Sequence, residues 1–347
     1  MSPSLTSSRT RLQKSHTHVE KWSSQCQAED NSPEDPDSIP VSAPESVDTS
    51  LSPSLSPPSD LTSEKLHRIT LYKFSDCNYR DTTLSLLKIG LYYDDFPGFI
   101  ANLVAWLNKP RQDDLLEQSV AHICKEIAII SNDEEPSRPD RIFDQMREQI
   151  ILLEWQARAT PTVCHKYTAF RQRTLIKHPT AYWYETALAK PTCTFGYDPL
   201  ATFPELERDF ILSNRETYSI GKHALWFPYM AIIVPDDEES YDSGLNHALT
   251  AASSCIRLNS TLLASNDNLF FSVVVHIYYV GMYVSWFDDA ISTYHTKLVS
   301  GFTLENPSSY VKLRRYIFNI QDWAKTTRLQ VIRDALWQLA NDSPQRK

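Results

Sequence analysis

The sequence predicts an all-α protein, in which a single helical bundle follows a disordered N-terminal tail. Apolar residues recur at helical spacing through most of residues 67–347. Alternating strand patterns and Asn-Gly hairpin signals are absent from the same region. The preceding residues, 1–66, are rich in serine and proline and poor in large apolar side chains. Together these observations favour one all-α domain over residues 67–347.

The tail, residues 1–66, cannot bury enough apolar surface to offset the entropy lost on ordering, so we expect it to be disordered. Its first nineteen residues carry Arg9, Arg11 and Lys14 without an acid. That composition is shared by transit peptides and by solvated tails. The absence of an apolar face beside these charges favours the solvated tail.

Helical periodicity is clearest in residues 139–155. There the apolar residues Ile142, Met146 and Ile150 fall on one helix face, and Pro139 suits a first turn. The predicted helices are residues 83–107, 113–130, 139–155, 161–175, 203–233, 245–263 and 309–339.

Composition and charge exclude several classes of function. With 347 residues, of which 41% are hydrophobic, the chain can build a sizeable core. Its formal net charge of -9 argues against a nucleic-acid binder, which usually has a basic face. Only 7 glycines are present and no Gly-rich phosphate loop occurs. An anionic substrate would therefore need local arginines, lysines or metal cations.

The 6 cysteines are scattered and form no CxxC pair. This spacing disfavours zinc ribbons and disulfide frameworks and favours a reducing compartment. We therefore expect a cytoplasmic protein, either a monomer or a homodimer.

Residues 269–286 differ from the rest, since they are almost continuously apolar and rich in β-branched side chains. Three interpretations stay open. The segment is a central core helix, a membrane span at the lower limit of length, or an insertion that interrupts a motif. We expect no stable membrane insertion.

Two acidic patches and one arginine suggest a metal site. Asp133 and Glu134 follow an apolar run, Asn266 and Asp267 end the predicted helix 245–263, and Arg215 lies between them in sequence. Carboxylate and amide oxygens are suitable ligands for Mg²⁺. An arginine near them could hold a diphosphate through two hydrogen bonds.

This order of motifs resembles class I terpene synthases, and most closely the divergent fungal sesquiterpene cyclases of the humulene-synthase-like group. The similar stretches are residues 203–221, 234–239 and 262–267. In that family an Asp-rich motif and an Asn-Asp-x-x-Ser-x-x-x-Glu motif bind three Mg²⁺ ions and the substrate diphosphate. The resemblance thus implies a class I terpenoid-synthase-like bundle with Mg²⁺ as cofactor and a prenyl diphosphate as substrate.

Carried over by position, Asp133 and Glu134 would form the first metal-binding motif, and Arg215 would sense the diphosphate. The acidic run at 132–135 is Asn-Asp-Glu-Glu rather than Asp-Asp-x-x-Asp. A solvated acidic turn is the alternative for the two acids. A surface arginine paired with Glu216 or Asp209 is the alternative for Arg215.

The second motif would begin at Asn266 and Asp267, but its next two ligand positions hold Phe270 and Val274. Further on, Ser285 and Asp289 stand at i, i+4. Removal of about fifteen intervening residues would place these groups on one helix face. The pattern therefore predicts that residues 268–284 are a local insertion and that the chain as written is a poor catalyst.

Other candidate residues have structural alternatives. In the family, an Arg-Tyr pair near the C-terminus closes over the diphosphate. The candidates for it in this chain are Arg315 and the pair Trp323 and Arg328. The acids Asp94 and Asp95 suit a helix C-terminal turn, and the acidic run 236–239 suits a helix start. Four aromatic residues could stabilise a carbocation through their ring faces or could simply pack in the core: Trp183, Phe195, Trp226 and Phe227.

The function implied by the resemblance is Mg²⁺-dependent ionisation and cyclisation of a prenyl diphosphate, by analogy farnesyl diphosphate, to a sesquiterpene. Metal ions and Arg215 would neutralise the leaving diphosphate. A degenerate, non-catalytic binding protein is an alternative, favoured by the broken second motif. A chain-elongating prenyltransferase is another, but it would carry two intact Asp-rich motifs.

Overall fold

The computed structural model describes residues 68–70, 74–76, 78–132, 138–146, 162–166, 175–177, 183–185, 189–213, 219–220, 225–235 and 240–342. All of them belong to one compact unit, Thr62–Lys347. The predicted tail, residues 1–66, lies outside the described residues, so its disorder stays a prediction.

A mixed sheet of eight strands forms the centre of this unit, with the order β2-β11-β10-β9-β8-β6-β3 and with β7 paired to β8. Three short strands form a second sheet in the order β1-β5-β4. The strands are β1 (Arg68–Thr70), β2 (Ile89–Leu91), β3 (Thr162–Lys166), β4 (Leu175–Lys177), β5 (Trp183–Glu185), β6 (Cys193–Tyr197), β7 (Ser219–Ile220), β8 (Leu225–Ile233), β9 (Phe270–His276), β10 (Tyr279–Asp288) and β11 (Thr293–Thr303).

Helices lie between the strands along the chain and pack on both faces of the sheet. They are α1 (Gly98–Leu107), α2 (Glu117–Ser131), α3 (Arg138–Met146), α4 (Pro199–Thr202), α5 (Glu205–Ser213), α6 (Tyr241–Asn259), α7 (Pro307–Trp323) and α8 (Leu329–Asp342), with π-helical turns at Arg80–Leu84 and Ala324–Arg328.

The β8-α6-β9 unit organises the sheet. Strands β8 and β9 are parallel neighbours, and parallel neighbours need a crossover connection, which α6 supplies. The side chain of Ser240 caps α6 by accepting a hydrogen bond from the Ser243 amide at 3.2 Å. A Cβ at Gly244 would lie 2.5 Å from Pro235 Cγ. The first turn of α6 therefore packs directly on the end of β8.

Each face of the sheet has its own apolar core. One core joins α6 to side chains of β8, β9 and β10, including Phe270 and Val274. The other joins α1, α2, α7 and α8 to the opposite face, where Phe271 contacts Trp323 and Phe302 contacts Tyr316 in edge-to-face pairs. The unit is therefore a layered α/β/α structure.

The all-α prediction, and with it the terpenoid-synthase-like bundle, is wrong. Residues 225–233 of a predicted helix form β8, and residues 162–166 of another form β3. A short apolar run fits either a buried helix or a buried strand, and periodicity alone cannot separate the two. Elsewhere helices were correctly located, since α1, α2, α3, α5, α6, α7 and α8 fall within or close to predicted segments.

The segment 268–284 supplies all of β9 and part of β10. Strand β9 lies between β8 and β10, and Phe270, Phe271 and Val273 are fully buried in it. The β-branched composition that set this segment apart is typical of a strand buried on both faces. The segment therefore forms the middle of the sheet, and the helix assumed to run on from Asp267 is absent.

A bulge interrupts β8 at Phe227 and Pro228. The pairing of β6 with β8 shifts register between Phe195 and Tyr197, and Phe227 has a positive φ of 45°. The bulge directs the Pro228 carbonyl away from the strand ladder. That carbonyl instead accepts hydrogen bonds from Asn259 Nδ2 at 3.1 Å and Arg328 NH2 at 3.3 Å.

Two further findings concern membrane-spanning segments and cysteine pairing. In the described ranges, no helix combines the length and the apolar character that a bilayer-spanning segment requires. Cys193 is disulfide-bonded, contrary to the expectation from the scattered cysteines, whereas Cys124 and Cys255 are free and buried. The cytoplasmic location stays a prediction.

Candidate interaction site

Of the predicted metal and diphosphate residues, Asp133, Glu134 and Arg215 lie outside the described residues. Asn266 and Asp267 lie in an exposed turn between α6 and β9. The Asp267 carbonyl accepts a hydrogen bond from Arg328 NH1 at 3.3 Å. This hydrogen bond holds the backbone of the turn against the core.

Ser285 and Asp289 are separated by the structure. Ser285 is buried in β10, where its hydroxyl pairs with that of Thr296 at 2.8 Å. Asp289 lies in the turn after β10 and accepts a hydrogen bond from Ser265. The structure therefore brings Asp289 close to the Asn266-Asp267 turn and keeps Ser285 inside the sheet.

Arg315 projects from α7 and bonds to Asp114 Oδ2 at 2.8 Å, so its guanidinium is already paired with a carboxylate. The aromatic residues proposed to stabilise a carbocation include Phe195, Trp226 and Phe227, which are buried in the core as the packing alternative expects. Across the ranges that the structure describes, no group of three or more His, Cys, Asp or Glu side chains could hold a metal ion. The Mg²⁺ assignment stays a prediction.

The carboxyl edge of the parallel pair β8 and β9 is where open α/β sheets usually bind ligands. Strand β8 ends there in Ile232 and Ile233, followed by Val234 and Pro235. None of these four side chains can transfer a proton or ligate a metal. The polar and aromatic groups at this edge come instead from the start of α6 and from the β9–β10 hairpin.

We call this group the tyrosine surface, and it consists of Tyr241, His276, Tyr278, Tyr279 and Tyr283. The side chains of Tyr278 and Tyr279 are 44% and 36% exposed. Behind them, Tyr241 contacts the rings of Tyr279 and His276 edge to face, with centroid separations of 5.4 Å and 6.3 Å. The exposed ring of Tyr279 thus rests on a packed aromatic layer, and Tyr278 precedes it in the turn.

The packed layer is fixed by a hydrogen bond of 2.6 Å between the hydroxyls of Tyr241 and Tyr283. Two glycines make room for these rings. A Cβ at Gly281 would lie 2.0 Å from the Tyr241 hydroxyl, and one at Gly301 would lie 2.6 Å from the Tyr279 hydroxyl. Any larger residue at either position would displace a tyrosine.

The hairpin tip carries an unusual backbone conformation. Ile277 has a φ of 54° and begins the two-residue turn between His276 and Tyr279. Turns with a positive φ at this position favour glycine, because a β-branched residue is strained there. Such strain is concentrated at functional sites in known proteins, and here it is located beside the two exposed tyrosines.

The two buried tyrosines of this surface are unsuited to act as general bases. Burial raises the pKa of Tyr241, as do the neighbouring Tyr283 hydroxyl and Asp242. Burial also raises the pKa of Tyr283 to about 12. Both phenols therefore keep their protons at neutral pH and cannot serve as general bases.

The charged groups beside the surface are paired with each other. Arg80 bonds to Asp242 Oδ1 at 3.0 Å and to Asn246 Oδ1 at 3.1 Å. Both Arg80 and Asp242 influence the pKa of Tyr283, so they lie next to the aromatic layer. Among the described residues this arginine is thus already engaged, which leaves it poorly placed to bind a diphosphate.

Sequence reasoning missed this surface. The available signals were the adjacent pair Tyr278-Tyr279 and the glycines Gly281 and Gly301, in a chain with 7 glycines. Tyr278, Tyr279 and Gly281 were interpreted as part of an apolar helix or an insertion, and Gly301 was given no role. The strand assignment is what places them on one surface.

The fold and the site define a mixed α/β domain with a layered α/β/α core. Residues 135–336 match the family model described as "Domain of unknown function (DUF7924)", and the match covers more than half of the chain. The chain therefore belongs to that family. The matched region contains the strands β3 to β11, hence the whole tyrosine surface. A comparison with curated proteins gives no match.

Proposed function

We propose that this domain is a non-catalytic interaction module that binds a segment of a partner protein on the tyrosine surface. The observation that carries the proposal is the exposure of Tyr279 on a layer held by the Tyr241–Tyr283 hydrogen bond, with the exposed Tyr278 next to it in the chain. Tyrosines are enriched at protein interfaces because they add contact area at low entropic cost. An aromatic surface that is already rigid loses little further freedom on binding.

Catalysis is supported less well by the described residues. The carboxyl edge of β8 ends in apolar side chains, and the phenols beside it stay protonated. The cyclase prediction depended on an all-α bundle, and that fold is absent. A degenerate terpene-synthase-like binding protein was an alternative in the sequence interpretation, but it assumed the same all-α bundle. The binding function proposed here is supported by the tyrosine surface instead.

A displayed library of random peptides tests the proposal. The unmodified chain, Tyr279→Ala and Tyr93→Ala would each be immobilised and used to select peptides. Tyr93 is the matched control, because it is 84% exposed and lies outside the tyrosine surface. We expect the unmodified chain and Tyr93→Ala to enrich the same peptide families, and Tyr279→Ala to lose them.

Tyr278→Ala provides a second variant that leaves the packed layer in place, since Tyr278 lies at the exposed turn. Thermal unfolding of every variant would establish that it is folded before selection. Equal enrichment by Tyr279→Ala, Tyr278→Ala and the unmodified chain would contradict the proposed site.

A further inference from the structure

The charge of the domain indicates what kind of segment the tyrosine surface would accept. Residues 67–347 carry 33 acidic and 29 basic side chains, a net charge of -4, so the field of the domain attracts cationic partners. Near the surface, the described cation Arg80 is occupied by Asp242 and Asn246.

The exposed rings can supply an attractive contact for a cation. The face of a tyrosine ring carries partial negative charge and attracts ammonium and guanidinium groups. Tyr279 has 36% of its surface exposed, and its hydroxyl makes no hydrogen bond to any described residue. It can therefore offer both a ring face and a hydrogen-bonding oxygen.

The same chain already holds a lysine in this manner elsewhere on the sheet. Lys297 Nζ lies 4.9 Å from the ring centre of Phe96 and 5.7 Å from that of Tyr92. It also donates hydrogen bonds to the carbonyls of Tyr93 and Asp94. Ring faces and carbonyl oxygens thus surround one ammonium group on this protein.

We propose that the partner segment is basic, and that a lysine or arginine side chain of it packs on the ring of Tyr279. The inference rests on the proposed function, because it names the chemistry of the segment that the tyrosine surface binds. Acidic or phosphorylated segments are disfavoured, since they would meet a chain of net negative charge with no free described cation at this surface to offset their charge.

A labelled peptide that alternates lysine and serine is a suitable probe, with the glutamate–serine peptide as its counterpart. Fluorescence anisotropy would measure the binding of both peptides to the full chain at low and moderate salt. We expect the lysine peptide to bind and the glutamate peptide not to bind. We expect Tyr279→Ala to lower the affinity for the lysine peptide by about tenfold. Tyr279→Phe should retain most of that affinity, and Tyr93→Ala should leave it unchanged.

The controls separate specific from general attraction. A peptide held only by the overall charge would bind Tyr279→Ala and the unmodified chain equally well, and that result would overturn the inference. Binding of the glutamate peptide at equal affinity would overturn it as well. If the library yields Tyr279-dependent peptides that lack lysine and arginine, the proposed function stands and this inference fails. If no selected peptide depends on Tyr278 or Tyr279, both fail.

Discussion

Arg328 is a fully buried arginine that joins three parts of the structure. Its guanidinium donates to the carbonyls of Pro228 and Asp267, and it lies 5.6 Å from the ring centre of Trp323. Burial lowers its pKa, and the groups that oppose this shift are Tyr197, Cys255 and Tyr229 rather than a carboxylate. Arg328 thus satisfies the carbonyl that the β8 bulge removes from the ladder, at the cost of a buried charge.

Substitutions at Arg328 should show separately how its charge and its packing affect the stability of the fold. In Arg328→Met the Asp267 carbonyl loses a donor, while the Pro228 carbonyl keeps the one from Asn259. In Arg328→Lys a buried charge remains, but the planar guanidinium group that donates to both carbonyls is lost. We expect the lysine variant to be less stable than the methionine variant by at least about 1 kcal/mol in urea unfolding. A lysine variant as stable as the unmodified chain would contradict this account.

At the scale of elements, the close approach of β6 to the bulge depends on Gly196. A Cβ at this position would lie 2.6 Å from the Trp226 carbonyl oxygen and 2.8 Å from Leu225 Cγ. The first contact is with backbone, which cannot move aside as the end of a flexible side chain can. The glycine therefore permits β6 and β8 to pair across the irregular register.

Gly196→Ala should accordingly destabilise the sheet. We expect a loss of about 1–3 kcal/mol in the free energy of unfolding, because strands in a packed core cannot separate without loss of contacts. Gly90→Ala is the matched control, since no atom lies within 4 Å of a Cβ at that strand position. Parallel thermal melts would compare the two, and equal melting temperatures would show that β8 relaxes around the added methyl group.

At the scale of the whole molecule, residues 268–284 decide whether the two cores form. Strand β9 supplies Phe270 and Val274 to one core and Phe271, Val273 and Val275 to the other. Each such side chain contributes about 1.5–3 kcal/mol when fully buried. Their sum is comparable to the entire stability of an ordinary domain, roughly 5–15 kcal/mol.

A chain that lacks about fifteen residues of this segment should therefore fail to fold. We expect no cooperative thermal transition and early elution or aggregation on size exclusion, in contrast to the full chain. A shortened chain with a cooperative transition near that of the full chain would mean that β8 pairs directly with β10. That outcome would support the hypothesis of a local insertion, which otherwise stays a prediction.

The sequence by itself determined the amphipathic helices and the amount of apolar material. Helices α2 and α6 were located from spacing because a helix makes its hydrogen bonds within a few residues, so its pattern is local. The prediction failed at the strands. The apolar runs in β8 and β9 have no helical or alternating pattern, and their hydrogen-bonding partners lie far away in sequence.

Only the tertiary structure decided the candidate site. Tyr241 and Tyr283 are 42 residues apart and meet because α6 crosses from β8 to β9 and packs on Gly281. No spacing rule links residues joined in this way. A local sequence pattern predicts which side chains share one face of a single helix or strand. A site built from several elements depends instead on strand pairing and packing between residues far apart in sequence.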